Sequence, residues 1–340
     1  MCQQSEVRLA KSSRPTMHDV AAAAGVSQMT VSRVFRGDGY ISQDTKSRVL
    51  EAARRLGYIH NRLASVQRGV KNPMVAVVLP TLKNNVFTDV LAGITDTLSG
   101  LGMRPVFGVS EYAQQAEEDL VRDMLSWQPT GLILSGVDHT AALREMVVGA
   151  KCRVAEIMDA DGAPISASFG VSHEAIGAEM ARHFLDRGLM KVALIASHGG
   201  QDGRAAKRMA SFRDTLEKGG GEIVYDRVAK EPSSMVLGRS MMQHCLREVA
   251  QCDAVYCAND DLAAGGLMHC LVEGLSVPKD IAIAGFNDLP FVSALPLRIT
   301  TTRTPRYDMG ARAAEFVAGQ GSEQLGPVRL AAQLVVGDTT

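Results

Sequence analysis

Two periodicities divide the chain. Up to about residue 60, apolar residues recur at three- and four-residue spacing: Val20, Ala21 and Ala24, then Val31, Val34 and Phe35, then Val49, Ala52, Ala53 and Leu56. That spacing predicts three helices, each with one apolar face. From Lys71 onward, short apolar runs alternate with amphipathic stretches. The runs cover 74–80, 104–109, 131–136, 152–158, 191–197, 254–258 and 280–286. Nearly continuous apolar strands separated by helices predict parallel sheets covered on both faces. At least seven runs exceed one five-stranded sheet. They predict two α/β subdomains, about 73–162 and 163–290, with crossover segments in 291–340. There, RITTTRTPRYDMG reads as a crossing strand and a helix begun by Pro305.

The helical segment carries its own punctuation. Thr16 is a candidate N-cap with Asp19 three places on, a capping-box arrangement. Gly25 stops the first helix where a left-handed residue is needed. Ser27 caps the second, whose Gln28, Met29, Thr30, Ser32 and Arg33 stay off the apolar face. Residues 43–56 supply a third, supporting helix. Two short helices around an AGV turn make a helix-turn-helix, whose second helix enters a major groove. Gln28 suits an adenine edge, Arg33 guanine or phosphate, and the Met29 and Thr30 methyl groups a thymine methyl.

Charge sharpens this division. The net charge of −1 combines +7 over residues 1–71 (12 basic, 5 acidic) with −8 over the remainder (24 basic, 32 acidic). A basic segment ahead of an acidic body indicates a polyanion-binding module joined to something else. No apolar run approaches a membrane span. The first fifteen residues lack a secretory core and read as a loose polar tail, so a cytoplasmic location is expected. The six cysteines form no CxxC pair and read as small buried hydrophobes, with no metal or cofactor expected.

The string MHDVAAAAGVSQMTVSRVFRG, followed by LGYIHNRLA, resembles the DNA-binding headpiece of the LacI/GalR family of bacterial repressors. The resemblance implies a headpiece over 16–60 and a hinge helix in 61–72 that orders on operator DNA and kinks it through the minor groove. It implies a DNA-facing set of Thr16, Ser27, Gln28, Met29, Thr30, Ser32, Arg33, Ser42 and Tyr58, with Asn61, Arg62 and Ala64 in the hinge. Two hinge positions depart from the family pattern: His60 replaces the usual proline, and Gln67, beside Val66, the usual wedge leucine.

Ligands of open α/β sheets sit beyond the carboxyl ends of strands. Here those ends carry TLKNNVF, SGVDHT, DADGAP, HGGQDGRAAKR, NDD and NDLPF, polar lists suited to a small polyhydroxylated ligand. The resemblance extends over this region through CANDDLAAG, AIAGFNDLPF and PLRITT, implying a periplasmic-binding-protein-like core. Some stretches, such as LPTLKNNVF and DMLSWQPTGLILS, are similar to gluconate-utilisation repressors. Together they give the candidate effector set Asn84, Phe87, His139, Asp159, Arg208, Asn259, Phe286, Asn287 and Asp288. Arg208 offers a fork for a carboxylate.

The expectation is therefore an all-α helix-turn-helix headpiece on an α/β core of two parallel-sheet subdomains (73–340). The molecule should be a homodimeric, sequence-specific repressor of sugar-acid catabolism, released from a palindromic operator in double-stranded DNA by its effector, without membrane contact. The same family answering to another sugar, a sugar phosphate or a corepressor is the alternative. An enzyme is disfavoured: HGGQDG puts His198 where a dinucleotide loop needs its first glycine, and neither a GxSxG elbow nor a P-loop is present. The pair Asp260–Asp261 reads as a helix start. An exported binding protein would lack residues 16–69.

Overall fold

The computed structural model describes residues 15–36, 38–59, 72–197, 201–320 and 325–340, which fall into two compact units separated at Asn72/Pro73. In the first unit, α1 (Met17–Ala24), α2 (Gln28–Arg36) and α3 (Gln43–Leu56) pack around Val20, Ala21, Ala24, Val31, Val34, Val49, Ala52 and Ala53. The capping box is formed. Thr16 N–H and Oγ1–H both donate to Asp19 Oδ2 at 2.7 Å, and Asp19 N–H returns a bond to Thr16 Oγ1. Gly25 turns the chain at φ 65°, the left-handed region that a side chain would strain. Leu56 differs from its expected inward position. It ends α3 at 37% exposed, because the helix stops at Gly57 before Leu56 can pass beneath its neighbours.

In the second unit, the first lobe is a six-stranded parallel sheet in the order β11-β5-β4-β3-β1-β2. Its strands are β1 (Met74–Leu79), β2 (Arg104–Val109), β3 (Gly131–Ser135), β4 (Arg153–Asp159), β5 (Ala167–Val171) and β11 (Gly326–Arg329). Helices α4 (Val86–Gly100), α5 (Gln114–Ser126), α6 (Ala141–Gly149) and α11 (Arg306–Ala318) belong to this lobe. Two of these strands lie beyond the expected boundary at residue 162. The segment ASFGV is too short and mixed to read as a strand, and it is recruited by pairing with β4.

The second lobe is a parallel sheet β7-β6-β8-β9, from β6 (Lys191–Ala196), β7 (Glu222–Val228), β8 (Ala254–Cys257) and β9 (Ala282–Ala284). Around it lie α7 (His173–Asp186), α8 (Gly203–Lys218), α9 (Met235–Glu248) and α10 (Asp260–Val272). Strand β7, with three charged residues in seven, was invisible as an apolar run. It is the sheet edge, where charge is tolerated. Short strands β10 (Thr301–Arg303) and β12 (Gln333–Val335) pair antiparallel. No helix among the described residues is long and apolar enough to cross a membrane.

Small residues set the helix spacing. A Cβ added at Gly310 on α11 would press into the Val90 carbonyl of α4, and one at Gly93 into the Tyr307 carbonyl. Gly310→Ala is expected to lower stability by roughly 1–3 kcal/mol, the range for overpacking, with an unchanged urea m-value. An unchanged midpoint would mean that this contact is loose.

Candidate functional site

On the headpiece, Ser27 Oγ accepts from Thr30 N–H at 3.1 Å and starts α2. Gln28 and Arg33 are exposed, as is Met29 at 64%, while Thr30 and Ser32 are half-buried. No acidic residue occupies the first turn of α2, and Arg33 and Arg36 stand in its last. The result is a helix whose outer face offers an amide, hydroxyls, a thioether and cations without a competing carboxylate. Ser42 caps α3 through Thr45 N–H, and Tyr58 packs on Phe35 with ring centroids 5.7 Å apart. Asn61, Arg62, Ala64, His60, Val66 and Gln67 lie outside the described residues, as do 198–200 of the HGGQDG stretch.

Between the lobes of the second unit, the carboxyl ends of both sheets face a cleft. Its inner chamber, about 40 Å³, is bounded by Asn84, His173, Arg204, Arg208, Phe286 and Asn287, among others. It adjoins two larger chambers of about 240 and 190 Å³, sharing Tyr112 with both.

Arg208, on α8, is the buried centre. Its guanidinium lies 3.6 Å from the centroid of the Phe286 ring. Nη1 donates to His173 Nδ1 at 2.9 Å, and Nη2 to the Ala258 carbonyl at 2.6 Å. His173 Nε2–H donates to the Met158 carbonyl. Burial, and then the Arg208 charge, hold the His173 pKa well below its usual value, so the ring is neutral and free to accept. The buried Tyr256 hydroxyl also stands against the Arg208 guanidinium, while Asn287 Oδ1 has no hydrogen-bond partner among the described residues. Asn287 sits at φ 117° and 4% exposed, pinned by its N–H to Thr302 O and by Arg306, whose Nη1 donates to its carbonyl. A buried acceptor left without a donor is costly unless a ligand completes it.

Asn259 caps α10 through Oδ1 and donates Nδ2–H to Ser233 Oγ, still facing the inner chamber. Asn84 does likewise, its Oδ1 held by Val86 N–H.

Four expected effector contacts stand elsewhere. Phe87 is a core residue of the first lobe, beneath the Arg204 guanidinium. Asp159 is fully buried with both oxygens engaged: Oδ1 by Asp161 N–H, and Oδ2 by Lys207 Nζ at 2.8 Å. Asp288 is paired with Arg303 at 2.7 Å and stands 3.6 Å from Arg298, closing its own loop. His139 is buried between Glu117 and Glu156. The Asp260 carboxylate is a brace, taking Thr301 Oγ1–H and Leu289 N–H.

Three residues outside the expected set shape the cleft. Arg204 lies one turn before Arg208, donates to Ser135 Oγ across the cleft, and pairs with Asp202, the α8 N-cap. The i, i+4 spacing of two arginines on one helix face was the available signal. Tyr112, at φ 62°, owes its place to a turn that sequence does not disclose. Lys207 ties the lobes together: Nζ also meets Asp138 Oδ2 at 3.0 Å and the Asp161 carbonyl at 2.9 Å. Lys207→Met leaves Asp159 buried without a cation. The expected loss is roughly 3 kcal/mol, near the low end for a broken buried pair because Lys207 is 22% exposed. Adding Asp159→Asn should recover most of it in urea unfolding; strict additivity would mean the two do not interact.

Comparison with known proteins agrees with this geometry. The profile of a family described as bacterial regulatory proteins, lacI family, matches residues 16–61, and that of a periplasmic binding protein-like domain matches 181–340. The HTH-type transcriptional regulator GntR of Pseudomonas aeruginosa is 37% identical over 306 residues, covering 89% of this chain and 88% of its own. The regulator of the same name from Escherichia coli K12 is 31% identical over 305 residues, covering 90% and 91%. A crystal structure of a LacI family transcriptional regulator from Silicibacter pomeroyi superposes with a TM-score of 0.89 at 38% identity, over 96% of this chain and 99% of that one.

Proposed function

The chain belongs to the LacI family of bacterial regulatory proteins, and on that premise we propose that it is a repressor whose effector is a sugar acid such as gluconate or a ketogluconate. The observation that carries the reading is the wall of the inner chamber, where the buried Arg208 cation and Asn287, whose Oδ1 has no partner among the described residues, stand together. Arg208, a buried cation stacked against Phe286 on that wall, suits an anionic acceptor, and Asn287 Oδ1 wants a hydroxyl donor. Arg204 adds a second cation in the same chamber. A carboxylate at one end of a polyol supplies both. The similarity of LPTLKNNVF and DMLSWQPTGLILS to gluconate-utilisation repressors supports the same class.

The DNA-side reading follows from α2. Its exposed Gln28, Met29 and Arg33 read base edges, and a helix-turn-helix that reads palindromic half-sites does so as a homodimer. Effector binding between the lobes then favours a state with lower operator affinity. A differential preference of a few kcal/mol is enough to shift the population. Calorimetric titration with D-gluconate, 2-ketogluconate and D-glucose tests the ligand class. An acid should bind and glucose should not; equal binding of glucose, or of nothing, removes the sugar acid from the account.

A further inference from the structure

The wall of the 240 Å³ chamber continues inward as a line of titratable side chains drawn from three elements. Glu117 on α5 lines the chamber, and its Oε2 lies 3.1 Å from His139 Nδ1. His139 Nε2 lies 3.1 Å from the Gly136 carbonyl and 3.5 Å from Glu156 Oε1. Glu156, on β4, is fully buried; its Oε2 accepts Ile165 N–H, while Oε1 has no hydrogen-bond partner among the described residues. Two further charged groups stand close. Glu118 on α5 accepts from Thr140 Oγ1, and Arg144 on α6 donates to the Val137 carbonyl and places its charge near Glu156.

Both ring nitrogens of His139 thus face acceptors only. With Nε2–H directed at Gly136 O, the Nδ1–Glu117 contact needs a second proton. Both contacts are satisfied only when the line carries one proton more than a neutral histidine and two carboxylates would. Burial pushes the Glu156 carboxyl up to about 7, against the pull of His139, so that proton is exchangeable near neutral pH.

We propose that Glu117, backed by His139 and Glu156, is the hydroxyl-accepting wall of the effector site, and that binding an anionic effector takes up the proton these three groups share. The inference rests on the sugar-acid reading above. With the proton the three groups carry a net charge of −1, and without it −2, so an anion binds the protonated form better. Ligand and proton then favour each other reciprocally. His139 and Glu156 act here as positioning residues, since neither lines the chamber.

The test is calorimetric titration with D-gluconate and 2-ketogluconate at pH 6, 7 and 8, in two buffers of different ionisation heat, which reads affinity and protons exchanged together. The expected result is fractional proton uptake at pH 7 and an affinity that falls up to about tenfold from pH 6 to pH 8, the limit for one proton titrating near 7. Glu156→Gln removes the titrating carboxyl, so the pH profile should flatten and the uptake vanish. Glu117→Leu, which leaves no hydrogen-bond acceptor at this wall, should weaken binding at every pH despite the lost negative charge. Acid binding with no proton exchange and a flat wild-type profile overturns this inference and leaves the sugar-acid reading intact. Binding of neither acid overturns both. The proton count is made on the wild-type protein, so the outcome does not depend on either variant folding.

Discussion

Arg208→Met is expected to abolish the effector response while leaving operator affinity within a few-fold of wild type. Methionine fills much of the same volume against Phe286 but removes the charge and the bonds to His173 and to the Ala258 carbonyl. Truncating one partner of a buried charged contact costs roughly 2–5 kcal/mol, so effector affinity should fall by about 30-fold or more. The DNA-facing residues belong to a different compact unit, which is why operator binding is spared. The measurement is operator anisotropy with increasing gluconate, alongside urea unfolding to separate lost binding from lost fold. A folded variant that still responds at wild-type concentrations would show that the carboxylate is held elsewhere, with Arg204 the next position to test.

Gln28→Ala carries the second large effect. Gln28 opens α2, exposed and one residue past the Ser27 cap, where a recognition helix meets base edges. A bidentate amide–adenine pair contributes about 1–3 kcal/mol of discrimination. The variant should therefore bind its best site about fivefold or more weakly and accept other bases at one position of each half-site, with nonspecific affinity almost unchanged. Selection from a random duplex pool reads this directly. An unchanged consensus would remove Gln28 from the base-reading set, though not Met29 or Arg33.

The headpiece was legible because its signals are local. Thr16 with Asp19, Gly25 and Ser27 each act within four residues, and the structure forms the cap, stop and cap that they predict. The strands of the core were legible wherever both faces are covered. Those that were missed are edge or recruited strands: charged β7, short β5, and β11, whose pairing to residues 167–170 spans more than 150 positions of sequence. The cleft was legible only in part. Arg208, Asn259, Phe286, Asn287 and Asn84 follow strand ends and do meet there. Asp159 and Asp288 follow strand ends too, but their carboxylates are claimed by Lys207 and Arg303, partners 48 and 15 residues away. Residue type marks a candidate. Whether its hydrogen-bonding capacity remains available is decided by long-range neighbours, which composition and spacing do not encode.

The central claim is that a sugar acid in the cleft controls DNA binding by the headpiece. The most direct test takes a duplex selected by the wild-type protein, labels it, forms the complex, and follows anisotropy as D-gluconate, 2-ketogluconate or D-glucose is added. The account predicts that an acid lowers the anisotropy to that of free duplex at concentrations where glucose does nothing, and that Arg208→Met leaves the complex intact throughout. Release by glucose at the same concentration, or a complex indifferent to both acids, would contradict it.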